Sequence, residues 1–199
     1  MDLDALRLGE LVCARLCHDL GGLAGALAGA LELTQGEGGD EALAVAREAA
    51  DALSRRLQLL RTALGPVSGA LGAAEIADLA SGLGDRLRVD AAGLGRTLLP
   101  GSHARLALAM LLLGAEALPR GGVLRIASDT VGGMRAEAAG PGMTWPPGVT
   151  QGALSAPPTT PRGLMAPFCG LLARAAGMTL VVENTPPALR AMRGDVIPA

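Results

Sequence analysis

Leucines recur along the first third of the chain at the spacing of one helix face. Leu16, Leu20, Leu23, Leu27 and Leu31 come at intervals of four, three, four and four. At 100° per residue that keeps them on one stripe and predicts a helix over residues 4–35. The run GEGGD interrupts it, and Asp40 is suited to cap a second helix. Leu43, Ala46, Ala50, Leu53, Leu57, Leu60 and Leu64 then alternate threes and fours until Gly65 and Pro66 end that helix. The pattern predicts an antiparallel helical hairpin with a coiled-coil-like seam. Two helices alone expose too much of such a seam, so the expectation is a four-helix bundle formed in a homodimer, with coverage by the rest of the chain as the alternative.

From residue 72 the period shortens. GAAEIADLASGL reads as helix, DRLRVD as strand, and SHARLALAMLLLGAEALPRGG as a helix with Ser102 as its cap and a Pro-Gly stop. VLRIAS and MRAEAAG read as strands joined by a turn at Gly132 and Gly133. A Pro- and Gly-rich loop comes next, and the end of the chain reads as helix, strand, turn and a final weak strand. The expected fold class is α + α/β, with a hairpin at 1–65 followed by an α/β sandwich at 72–199.

Composition narrows the function classes. A chain of 199 residues that is 50% hydrophobic can hold a packed core. With 17 basic and 19 acidic residues, and every basic one an arginine, it offers no excess positive charge to a nucleic-acid backbone. The N-terminus has no basic region followed by an apolar run, and the uncharged stretch Leu20 to Leu31 is shorter than a membrane span. Three cysteines without a framework spacing point to a reduced, cytoplasmic protein with no membrane association.

The chemistry centres on RLCHDLGGLAGALAG, Arg15 to Gly29. On a helical wheel His18 falls about 200° from Leu16, away from the seam. It shares its face with Ala14, Gly21, Gly22, Gly25 and Gly29, all small. Each helical glycine is worth roughly 1 kcal/mol less than alanine, so a solvated helix alone gives no reason for this face. One reading is that a partner docks flush over it to reach the histidine. The other is a close helix–helix contact through Gly21, Gly25 and Gly29, which would have to take His18 and ionised Asp19 out of water. Cys13 and Cys17 lie one turn apart beside His18, but no second ligand pair completes a zinc site, and both flank the seam, where a thiol acts as a small hydrophobe. A neutral imidazole suits nucleophilic attack, with Asp19 placed to orient the other ring nitrogen and Arg15 placed to pair with phosphoryl oxygens.

These residues resemble the histidine phosphotransferases of the ChpT type. Arg15 to Leu20, Gly25 to Leu27 and Leu31 to Leu33 match that motif, which is also similar to the phosphoacceptor box of sensor histidine kinases. Leu23 stands where both groups commonly have a proline, so a straighter helix is expected. The second region resembles a degenerate histidine-kinase ATP-binding domain. Gly114 stands in place of the magnesium-holding Asn and Ala138 in place of the adenine-reading Asp, and neither side chain can do that work. The Pro-rich loop replaces the glycine-rich lid.

The resemblance implies a phosphorelay intermediate that binds no ATP. His18 would accept phosphate from a response-regulator receiver domain, or from the receiver of a hybrid histidine kinase, and pass it to another receiver. No cofactor or metal of its own is implied, since the magnesium would belong to the partner receiver. Asp19 and Arg15 would assist His18, and Ala14, Gly21, Gly22, Gly25 and Arg55 would meet the partner. Two other functions compete: a non-catalytic, pseudokinase-like dimer that sequesters receivers or kinases, and an active kinase with divergent nucleotide boxes. Of the remaining candidates, His103 reads as partly buried or capping and Trp145 as core cover. Gly140 and Gly142 form only a weak phosphate-turn signal, and Arg55 and Arg56 read as a solvated face.

Overall fold

The computed structural model describes residues 3–34, 39–66, 69–129, 132–161 and 163–193. Helix α1 (Leu3–Leu33) and helix α2 (Gly39–Leu64) form the hairpin. The glycine-rich break between them lies largely outside the described residues. Asp40 falls inside the first turn of α2 with Glu41, where both carboxylates meet the positive end of the helix dipole, so Asp40 is not the cap expected from the sequence.

Behind the hairpin come α3 (Ala73–Ala80), a short 3-10 turn at Ser81–Leu83, β1 (Leu87–Gly93), α4 (Gly101–Glu116), β2 (Gly122–Ser128), β3 (Met134–Ala139), a second 3-10 turn at Gly152–Leu154, α5 (Met165–Ala175), β4 (Met178–Asn184) and β5 (Pro187–Arg193). The five strands make one sheet in the order β1-β2-β3-β5-β4. Strand β1 runs parallel to β2, the two being joined through α4, and the other pairings are antiparallel. Strand β3 alternates buried Met134, Ala136 and Ala138 with half-buried Arg135, Glu137 and Ala139, as a sheet with one covered face requires. Helix α4 starts earlier than its serine suggests. Pro100 holds the cap position, and Ser102 lies within the helix with its hydroxyl 3.2 Å from Nδ1 of half-buried His103.

The core is continuous from hairpin to sheet. Leu11 of α1 and Leu59, Leu60 and Ala63 of α2 join α4, α5 and the inward face of the strands in a single apolar cluster. Helix α4 is its centre, with every residue from Leu106 to Gly114 buried. Trp145 packs at the edge of the cluster and donates its indole N–H to the Glu183 carbonyl at 2.8 Å, so the Pro-rich loop is pinned to β4. Between Leu6 and Leu33, α1 is long and apolar enough to cross a membrane by length and composition, although the uncharged window inside it is shorter than a span. The same stretch nonetheless carries Arg15 and Asp19 in ion pairs to α4 and α2.

Candidate functional site

His18 stands on an outward face of α1, and its side chain is 70% exposed. Asp19, the next residue, turns inward and is only 9% exposed. Consecutive helical residues diverge by about 100°, so one position meets solvent while its neighbour meets the α1–α2–α4 junction. The Asp19 carboxylate is the hub of that junction. Arg15, one turn earlier, reaches its two oxygens with Nε at 3.0 and 3.1 Å. Arg56 of α2 donates from Nη2 at 2.6 Å. Nδ1 of His18 lies 3.3 Å from Oδ1, a long contact in which the ring N–H can donate to the carboxylate and leave Nε2 unprotonated toward solvent.

Two further groups complete the network. Arg56 reaches the Gly82 carbonyl at 3.4 Å with its other nitrogen. Gly82 sits so close to α2 that a Cβ there would collide with the Arg55 carbonyl, which explains why the 3-10 turn brings its backbone within reach. Arg15 extends Nη1 to Oε1 of Glu116, the last residue of α4, at 3.1 Å. The ion pair is close, but its geometry is poor, and Oε1 is buried without a well-aligned donor. Burial alone would raise the Asp19 carboxyl, but the Arg56 hydrogen bond and the Arg15 charge outweigh it and hold Asp19 below the usual carboxylate range. Burial pushes Glu116 the other way, above its usual range, despite Arg15.

The expected site residues therefore separate. His18 and Asp19 lie together, and Arg15 is held between Asp19 and Glu116 rather than extended into solvent beside His18. Ala14, Gly21, Gly22 and Gly25 are exposed beside His18. A Cβ built on Gly21, Gly22, Gly25 or Gly29 meets nothing within 4 Å, so within this chain the glycine face makes no close helix contact. Arg55 lines an open cleft with His18, Ala52 and Asp85, its guanidinium 4.0 Å from the Asp85 carboxylate.

Two expectations need correction. Arg56 is not a solvated residue but the strongest partner of Asp19. Cys13 and Cys17 are exposed rather than tucked along the seam, while Cys169 is buried. A side chain at Gly114 would press on the Leu124 side chain of β2, and Glu116 is the α4 residue that borders the space beneath the Pro-rich loop. Sequence reasoning missed both Arg56 and Glu116 as members of the site. Ala138 is buried within β3, paired with Leu124, and Gly140 packs against Gly121 and Leu118, while Gly142 is exposed. Among the described residues, no group of three or more His, Cys, Asp and Glu side chains is arranged to hold a metal ion.

With this geometry in view, known proteins supply the class. The histidine phosphotransferase C-terminal domain family matches residues 73–188. Protein phosphotransferase ChpT of Brucella abortus (strain 2308) is 33% identical over 194 residues, 92% of this chain and 93% of the relative. A bacterial phosphotransferase of known structure superposes with a TM-score of 0.78 at 28% identity, covering 96% of this chain and 97% of that one. The chain belongs to the histidine phosphotransferase family.

Proposed function

We propose that the protein is a phosphorelay intermediate in which His18 accepts a phosphoryl group from a receiver-domain aspartate and passes it to a second receiver. The observation that carries this reading is the placement of one exposed imidazole beside a buried, ionised carboxylate on a face free of bulky side chains. In the forward step the Nε2 lone pair forms the N–P bond while the acyl P–O bond breaks, and the electron pair leaves with the donor aspartate as carboxylate. Nδ1 keeps its proton facing Asp19, so the positive charge that grows on the ring lies beside a fixed negative one. Reversal onto a second receiver takes the same path.

The phosphoryl source in this reading is a receiver, not ATP. Ala138 and Gly114 lack the groups that would read adenine or hold magnesium, and the Glu116 carboxylate is committed to Arg15. The reading also includes a homodimer. Leu6, Leu31 and Leu33 of α1 and Val45 and Leu57 of α2 remain exposed in the single chain, and a twin hairpin would cover such residues in a four-helix bundle. Its place of work would be the cytoplasm, where the exposed thiols of Cys13 and Cys17 stay reduced.

His18→Gln tests the core of this. Incubated with a phosphorylated receiver, the variant should take up no phosphate, while its melting temperature stays at the wild-type value because the ring is exposed. A pure sequestering module would bind the receiver without label appearing on the wild-type chain. Radiolabelled ATP supplied to the purified protein alone should leave it unlabelled, and label on His18 would turn the reading into one of a divergent kinase.

A further inference from the structure

We infer that Glu116 is a positioning residue for transfer at His18, acting from the end of α4 through Arg15 and Asp19; the inference rests on His18 being the phosphoacceptor. Stability does not account for this carboxylate. It closes a helix whose residues Leu106 to Gly114 are all buried and apolar, and with its side chain 17% exposed it loses much of its hydration there. Its charged contact is Arg15 Nη1, and the buried Oε1 gets no aligned hydrogen bond in return. A buried pair made this way repays little of its desolvation. The raised carboxyl of Glu116 reports the same imbalance.

What the carboxylate does achieve is geometric. It fixes one end of the Arg15 guanidinium, so that Nε stays across both oxygens of Asp19. Arg56 fixes the Asp19 carboxylate from the other side. Between them, Oδ1 is left pointing at Nδ1 of His18. Ala14, Arg15, His18, Asp19 and Glu116 border one open cleft, so an Arg15 released by Glu116 would have room to swing toward His18 and away from Asp19. The charges also balance, with two carboxylates and two guanidiniums. Removing the Glu116 charge leaves Asp19 facing two arginines alone, and its hold on the imidazole proton weakens. The C-terminal region would then contribute to transfer by holding the histidine's neighbours in register, with no nucleotide involved.

The test compares full-length wild type, Glu116→Gln, Arg15→Gln and the double variant. Each is mixed with a receiver domain charged by acetyl phosphate, and single-turnover transfer to His18 is measured over a range of receiver concentrations. Glu116→Gln should lower the maximal rate by about ten- to a hundredfold, the scale on which a slightly misplaced reacting group slows a reaction. The half-saturating receiver concentration should hold within about twofold, because a positioning residue acts on the transfer step and not on docking. The melting temperature should stay level or rise, since an isosteric neutral amide carries less desolvation cost. The share of His18 rings that carry their proton on Nδ1, read from ring nitrogen shifts by NMR, should fall as the Asp19 contact loosens. In the Arg15→Gln background the second substitution should change the rate by less than about twofold, as for residues acting as one unit.

An unchanged rate in Glu116→Gln overturns the inference. So does a rate loss matched by a drop in melting temperature, or an undiminished effect in the Arg15→Gln background. If wild type itself accepts no phosphate, the phosphoacceptor reading fails. The Nδ1–H share of the His18 ring still reports separately whether Glu116 reaches it.

Discussion

Helices α1 and α4 are both long and rich in Leu and Ala, yet they use their surfaces in opposite ways. Helix α4 buries Leu106 through Gly114 without interruption beneath the sheet, α2 and α5. Helix α1 spans 31 residues, and of its described side chains only Leu11 and Ala30 are buried. A helix apolar on all sides is the interior of a unit that is finished within one chain. A helix with one half-covered stripe, an arginine–aspartate pair and a bare glycine face leaves most of its surface open in the single chain. The contrast shows that apolar content predicts how much surface a helix wants to bury, and the company it keeps decides where.

The sharpest way to break that contrast is to truncate a leucine in each region. Leu111→Ala removes a fully buried side chain at the centre of the cluster and should cost about 3 kcal/mol in chemical denaturation. Leu57, which is 46% exposed, should behave differently. Leu57→Glu should leave the fold of the single chain nearly as stable, within about 1 kcal/mol, since most surface changes are small. If the twin hairpin proposed above forms through this face, light scattering should find a dimer for the wild type and a monomer for the variant. A mass unchanged by Leu57→Glu would mean that the hairpin's second pair of helices does not come from a twin through this face.

Next in size is the pair beneath the histidine. Arg56→Ala leaves Asp19 buried with Arg15 as its remaining cation, and should cost about 2 kcal/mol, at the low side of the penalty for breaking a buried pair because one partner stays. The acid limb sharpens this. Asp19 has a folded-state carboxyl below its ordinary value of 3.8, so its contribution is complete above that pH and is lost as pH falls through the lower folded value. Glu116 has the opposite sign: raised by burial, it penalises the folded state once pH rises through its folded value and it must ionise. Melting curves against pH should show Arg56→Ala losing its deficit relative to wild type below pH 3.8, where Asp19 is protonated in the unfolded chain and becoming so in the folded one.

How far the sequence reached tracks the same division between local and distant causes. The two hairpin helices, the strands and α5 were legible because a 3.6- or 2-residue period is a local signal. His18, Asp19 and the glycine face were legible because one turn of helix fixes where their side chains point. Arg56 was not, since it lies 37 residues from Asp19 and the tandem Arg55-Arg56 looks like a charged surface. Its register held a clue: it lies three residues after Leu53 and four before buried Leu60, on the flank of the seam. Glu116 had a clue as well, as a lone carboxylate closing the apolar run LALAMLLLGA. Its partner could not be read, because Arg15 comes to it only through the packing of the whole hairpin on α4.

The smallest expected effect bears on the glycine face. In a helix, Gly→Ala gains about 1 kcal/mol when the new methyl meets open space, as it does at Gly25, where nothing lies within 4 Å. Gly25→Ala should therefore raise the melting temperature slightly and leave the hairpin intact. If a receiver lies flush on this face, the methyl is tolerated or costs little, while Gly25→Leu, whose Cβ also meets nothing within 4 Å in the single chain, should raise the half-saturating receiver concentration. The two substitutions separate causes that a single one would confuse, because both relieve the helix of a poor helix former and only the larger one stands in the partner's way. Should Gly25→Leu transfer phosphate at the wild-type half-saturation, the receiver approaches His18 from the Arg55 side, across the cleft bordered by Ala52 and Asp85, and the bare face has some other cause.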